Sequence, residues 1–126
     1  KENFSSDFYM KTFHHDKYWS ALPEEYREQY IEIGPNFTEH NKYCDNMWDT
    51  HPAKTVQVMK EVTKPFIAFK ILAAGAIQPR VGFRYAFENG ADFICVGMFD
   101  FQIVEDINLA CDILSDLGKR ERKWYS

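Results

Sequence analysis

Between Lys64 and Leu114 the chain alternates two textures. Short apolar runs rich in β-branched and aromatic residues give way to longer stretches whose apolar residues recur every three or four positions. The run from Phe66 to Leu72 closes on Ala73, Ala74 and Gly75, and the run from Phe93 to Gly97 closes on Gly97 and Met98. After the first, Pro79 to Asn89 predicts a helix that turns Phe83, Ala86 and Phe87 inward and stops at Asn89 and Gly90. After the second, Phe101 to Leu117 predicts a helix that faces the core with Ile103, Ile107, Ala110, Cys111 and Leu114 and ends at Gly118. Strand, helix, strand, helix is the rhythm of a parallel sheet.

Upstream the pattern is thinner. Asp7 to Phe13 alternates Phe8 and Met10 against Tyr9, Lys11 and Phe13, which predicts a first strand. Pro23 to Ile33 predicts a helix, with Glu24 and Glu25 in its first turn and Tyr26, Tyr30 and Ile33 on one face. Asn36 to Trp48 has no period and reads as a loop. Thr50 ahead of Pro52 opens another helix, whose Val56, Met59 and Val62 share a face, and Lys64-Pro65 ends it.

Three parallel strands with helical crossovers leave two open edges. Such crossovers are nearly always right-handed, so the helices after the second and third strands should lie on one side of the sheet and leave the other side bare. The expected fold class is α/β, as the C-terminal portion of a (β/α)8 barrel, with residues 1–126 forming a single partial barrel domain. The rest of a barrel, or self-association, would cover the open edges; an open sandwich is the alternative.

Composition narrows the function classes. With 45 % hydrophobic and 17 % aromatic residues the chain carries a true core and is not a disordered segment. A net charge of −4 with interspersed signs makes no basic stripe, so no nucleic-acid partner is expected, and Lys119, Arg120, Arg122 and Lys123 should solvate a terminal tail. No apolar run reaches the roughly 18 residues of a membrane span. The three cysteines lack metal-like spacing; Cys95 and Cys111 read as small core residues, which points to a reducing, cytoplasmic setting.

Four stretches then combine: Ile67 to Gly75 (Ile-Ala-Phe-Lys-Ile-Leu-Ala-Ala-Gly), the helical Phe83 to Asn89, Phe93 to Met98 (Phe-Ile-Cys-Val-Gly-Met), and Glu105-Asp106-Ile107-Asn108. Together they resemble the closing βα units of the aldo/keto reductases, over residues 64–114. The resemblance implies a barrel, oxidoreductase chemistry and NADPH as cofactor. The tyrosine, lysine, aspartate and histidine that act in that family come from earlier strands, so the resemblance transfers no catalytic residue to this chain. Other barrels close on a phrase similar to Gly90-Ala91-Asp92, and an uncharacterised barrel family related in these units stands beside it.

Candidate chemistry gathers at the predicted carboxyl ends of the strands, where open α/β sheets and barrels hold ligands. Lys70 alternates with Phe66 and Ala68, while Ile67, Phe69 and Ile71 form the aliphatic set expected against the helices. Lys70 would then point into a barrel and act as electrophile, base or anion partner. Lys11 follows the same logic on the first strand. His14, His15 and Asp16 follow that strand, and Asp45, Asp49 and His51 precede the second helix; they could serve as acid and base, or less readily hold a divalent metal. Adjacent histidines on extended chain point opposite ways, so His15 is the one expected beside Lys11. Ala74, Gly75, Gly97 and Met98 allow close backbone approach and could cradle a cofactor or substrate phosphate. Trp19, Trp48, Tyr18 and Tyr43 could stack on a sugar or a flat ring. The expected ligand is a small anionic or sugar-like molecule. Oxidoreductase, isomerase or epimerase or lyase, and a non-catalytic half-barrel that assembles with another chain are the three readings.

Overall fold

The computed structural model describes residues 5–27 and 48–125. Beyond Arg27, the expected Pro23–Ile33 helix and the loop that follows lie outside the described residues, as do Tyr43 and Asp45. The elements are β1 (Tyr9–Thr12), α1 (Glu24–Arg27), α2 (Pro52–Lys60), β2 (Phe66–Phe69), α3 (Pro79–Glu88), β3 (Phe93–Cys95) and α4 (Ile103–Asp116). Short 3-10 turns at Ala73–Gly75 and Asp100–Gln102 lead towards α3 and α4. Proline at the head of α2 and of α3 fits a position whose N–H has no helical partner.

The three strands form one parallel sheet in the order β1-β2-β3, so the α/β reading holds. The register sets Tyr9 beside Phe66, Lys11 beside Ala68 and Ala68 beside Ile94. Side chains alternate along a strand, so these residues share one face. That face carries the core: Phe13, Phe66 and Ala68 pack with Met59 of α2, Phe83, Ala86 and Phe87 of α3, and Ile113 of α4. Phe13 meets Phe66 edge to face with ring centroids 5.0 Å apart. The other face carries Phe8, Met10, Phe93 and Cys95, all exposed. Among the described residues no helix is long and apolar enough to cross a membrane.

Three expectations about orientation are overturned. In β2 the helix-facing set is Phe66 and Ala68, and Ile67 and Phe69 lie on the opposite face. The alternation stops at Lys70, whose backbone is left-handed (φ 54°), so Ile71 swings back into the core. In α4 the buried face is Asp106, Leu109, Ala110 and Ile113, leaving Ile103, Ile107, Cys111 and Leu114 in solvent. That helix is apolar around more than half its circumference, so periodicity alone admits more than one inward face. Cys95 and Cys111 are therefore exposed free thiols rather than core residues.

The terminal basic cluster is the fourth correction. Arg120 and Arg122 fold back under the amino end of the sheet and converge on Asp92, just ahead of β3. Arg122 Nη1 lies 2.8 Å from Asp92 Oδ2 and Arg120 Nη2 3.5 Å from Oδ1, with all three side chains at most 6 % exposed. Arg122 also donates to the carbonyls of Val62, Lys64 and Gly90, and Arg120 to those of Phe87 and Ala91. Asp92 in turn accepts from the backbone N–H groups of Phe66 and Tyr125. The Arg120 guanidinium stacks 3.4 Å from the Trp124 ring centroid. Gly90 makes room for this: its φ is +103°, and a Cβ there would stand 3.1 Å from Arg122 Cβ.

Gly82 does similar work at the other end. A Cβ at this helical position would lie 2.7 Å from the Ile71 carbonyl oxygen and 2.8 Å from Leu72 Cδ2. Two measurements follow. Asp92→Ala leaves two arginines buried without their carboxylate, and urea unfolding should show a loss of about 3–5 kcal/mol. Gly82→Ala, which raises helix propensity by about 1 kcal/mol in an exposed helix, should instead lower the melting temperature; an unchanged or higher value would show that α3 can lift off the β2 exit.

Candidate functional site

The polar residues that the sequence singles out split into two groups. The first surrounds the carboxyl end of β1. As β1 ends, Phe13 enters the core and its N–H donates to Phe69 O at 2.9 Å, which fixes the chain that follows. His14 is 1 % exposed, with both ring nitrogens engaged. Its Nε2 accepts the Asp49 backbone N–H at 3.0 Å, and its Nδ1 lies 2.9 Å from the His15 carbonyl oxygen. One nitrogen accepts and the other donates, so the ring is neutral. Burial holds its pKa below the ordinary histidine value. His14 is a structural tie between the β1 exit and the approach to α2, and Tyr18 and Trp48 pack against it edge to face.

His15 turns the other way, as adjacent residues on extended chain must. It is half-buried and its ring stands edge to face with Tyr85 of α3 at 5.5 Å. Its Nδ1 accepts the Lys17 backbone N–H at 3.0 Å, which leaves the proton on Nε2. Burial first, and the neighbouring His14 second, lower its pKa. Asp16 is committed elsewhere: it pairs with Arg27 of α1 at 2.8 Å. Burial pushes its carboxyl up, but the hydrogen bond and charge of Arg27 prevail and hold it below its ordinary value.

Asp49 is the group with unspent capacity. It is 5 % exposed, and its Oδ1 accepts the Thr55 hydroxyl at 2.7 Å. Its Oδ2 is buried and has no hydrogen-bond partner among the described residues. Burial raises the carboxyl pKa against the hydrogen bond from Thr55 and the charge of Lys11. Lys11, expected like Lys70 to point away from the helices, is instead half-buried on the helix-covered face, because the core packs on the Tyr9–Phe13 side of β1; its Nζ lies 3.4 Å from the Thr12 carbonyl oxygen. The Tyr85 hydroxyl is pushed up to about 12, chiefly by burial and then by the carboxylates of Asp49 and Asp16. The fold thus sets Asp49 within the influence of Lys11, His14 and Tyr85, and stands the His15 ring against Tyr85.

The second group lies along the exits of β2 and β3. Lys70 is half-buried, and its Nζ sits 5.6 Å from the centroid of Phe69, on the bare side of the sheet. No hydrogen bond, ion pair or ring contact ties it to Lys11 or His15. Ala73 and Ala74 both have left-handed backbones, at φ 45° and 55°, and Gly75 follows at φ 88°. Non-glycine residues held there are strained. The amides of this turn are engaged internally: Gly75 N donates to Leu72 O, Ala76 N to Ala73 O and Ile77 N to Leu72 O. Gly97 and Met98 are exposed, and a Cβ on Gly97 would meet nothing. Ahead of α4 the Phe99 and Phe101 amides are taken by the Gln102 and Asp100 side chains, and Asp100, Glu105 and Asp106 make that helix start acidic.

Thr55 and Tyr85 were not legible as site residues, because each falls on a helix face defined by apolar neighbours. Asp49 carried a usable signal, since a short carboxylate just ahead of a proline-initiated helix is well placed to accept from the helix start. Among the described residues no three metal-ligating side chains gather; His14 has both nitrogens bound to backbone and Asp16 is held by Arg27. The neutral, buried state of His14 carries a pH signature. Its folded pKa lies below its unfolded value near 6.5, so the unfolded chain binds the extra proton. Stability should be full above that value and fall as pH drops through it towards the lowered folded pKa. Urea midpoints between pH 7.5 and 5 should show this slope in the wild type and a flatter one in His14→Gln.

No family model, curated protein or solved structure matches this chain.

Proposed function

We propose that the carboxyl end of β1 is the ligand site of a β/α-barrel-type enzyme that works by proton transfer on a small anionic or sugar-like molecule. The isomerase, epimerase or lyase class is the form of this reading that the site favours. One observation supports it above the others: Asp49, a buried carboxyl with a raised pKa and one oxygen that has no hydrogen-bond partner among the described residues, acts on and is acted on by Lys11, His14 and Tyr85, and the His15 ring stands against Tyr85. A buried carboxyl with an oxygen left to spare is costly to a fold, and groups with shifted pKa cluster where chemistry uses them. A raised pKa brings it closer to neutrality, where a group can both take and return a proton.

In this reading Asp49 moves the proton and the Nε2–H of His15 supports the developing oxyanion. Lys11 supplies the positive charge that receives an anionic substrate group. Lys70 and the small residues Ala74, Gly75, Gly97 and Met98 stand at the exits of the neighbouring strands, where a barrel-type ligand would extend.

The test is hydrogen exchange with solvent. In deuterium oxide, proton NMR of a panel of hydroxyaldehydes, ketoses and their phosphates should show exchange next to a carbonyl with the wild-type chain. Asp49→Asn should slow that exchange by about 10²–10⁴-fold, the range of general acid–base catalysis. Inorganic phosphate should raise the melting temperature of the wild type but not of Lys11→Ala. Absence of both exchange and a phosphate shift rules the reading out.

A further inference from the structure

A cavity of about 700 Å³ opens between the start of α3 and one side of α4, and it shares no residue with the β1 exit. That volume falls within the roughly 300–1,000 Å³ of small-molecule sites. Its walls sort by chemistry. Phe101, Val104 and Leu109 supply apolar surface, and Glu105, Asp106 and Asp112 supply carboxylates. Arg80, in the first turn of α3, is the one cation among the lining residues. Asp106 separates this place from an ordinary acidic surface. It is 6 % exposed, yet it lines the cavity and makes no hydrogen bond or ion pair among the described residues. Unlike Asp49 Oδ2, its carboxylate oxygens are not sealed off, so they open towards this space. A carboxylate withdrawn from water without a partner is costly unless something else supplies the opposite charge.

We infer that this cavity binds a linear aliphatic di- or polyamine. Asp106 takes the ammonium group that enters deepest, and the exposed Glu105 and Asp112 take the charge nearer the mouth. Glu105 and Asp112 stand two turns apart on α4, about 10 Å along the helix axis. A point charge cannot meet carboxylates spread over that distance, and among the described residues no three metal-ligating groups converge. An extended cation can, with its methylene chain laid on Val104 and Leu109 and an ammonium group against the Phe101 ring. Charge selects the same occupant. Three carboxylates face one guanidinium, and among the described residues Arg80 forms an ion pair with none of them. Arg80 is exposed, so it stands at the rim and leaves the floor acidic.

Isothermal titration calorimetry of the whole chain with spermidine tests this, with magnesium chloride at matched ionic strength as the control for a diffuse acidic surface. Spermidine should bind at least about tenfold more tightly than Mg²⁺. Asp106→Asn keeps the size of the side chain and should weaken spermidine at least about tenfold, the effect of losing one charge-assisted hydrogen bond. Because it removes a buried charge that has no partner, the same variant should not lower the melting temperature of the empty chain. Asp112→Asn, at an exposed position where folding is not at stake, should weaken binding about two- to fivefold. Arg80→Ala should act in the opposite sense and tighten it about two- to fivefold, since a like charge leaves the wall. Equal affinity for spermidine and Mg²⁺ overturns the inference. So does spermidine binding that Asp106→Asn and Asp112→Asn both leave unchanged.

Discussion

A single carboxylate organises the amino end of this molecule. Asp92 receives the backbone N–H of Phe66, which starts β2, and its own N–H donates to the Phe66 carbonyl. The same carboxylate anchors Arg120 and Arg122, whose guanidinium groups then satisfy carbonyls after α2, at the end of α3 and in the turn before β3. One acid cannot neutralise two buried cations, and Arg120 Nε has no hydrogen-bond partner among the described residues. The arrangement holds because the remaining donors meet carbonyl oxygens and the Arg120 plane rests on Trp124. With the tail latched there, α4 lies across α3 and closes the core.

That latch explains why a three-stranded sheet covered on one face keeps a defined shape. Parallel sheets are ordinarily covered on both faces. Here the helix-covered face has a tight core of Phe13, Phe66, Phe83 and Ile113, all nearly inaccessible, while the opposite face and one side of α4 remain apolar and wet. The amino end is bound by charge and hydrogen bonds. The carboxyl end carries left-handed turns, acidic helix starts and half-buried titratable groups.

The element order was legible because strands, helices and their stops each leave local marks. Pro52, Pro79, the Ala73–Gly75 turn and Gly90 mark boundaries whatever packs nearby, and β2, β3, α3 and α4 lie where the pattern places them. Orientation was legible only in part. Phe83, Ala86 and Phe87 do face inward. For β2 both faces are apolar, so alternation could not say which meets the helices. For α4 the apolar arc was too wide to choose a side. The candidate site was legible in part: the His14-His15 pair and Lys11 stood out as polar residues at a strand end, but nothing local could tell that His14 is tied to Asp49 across 35 positions.

The sequence alone determined the α/β class, the succession of elements and the strand ends where polar residues collect. These depend on backbone preferences and side-chain periodicity, which act over a few residues. Tertiary structure alone decided which face of each element is buried, that the basic tail is a buried latch, and that Asp49 rather than Asp16 has a carboxylate oxygen to spare. Those outcomes depend on which distant groups meet, because the energy of a buried charge is set by its partners and not by its neighbours in the chain.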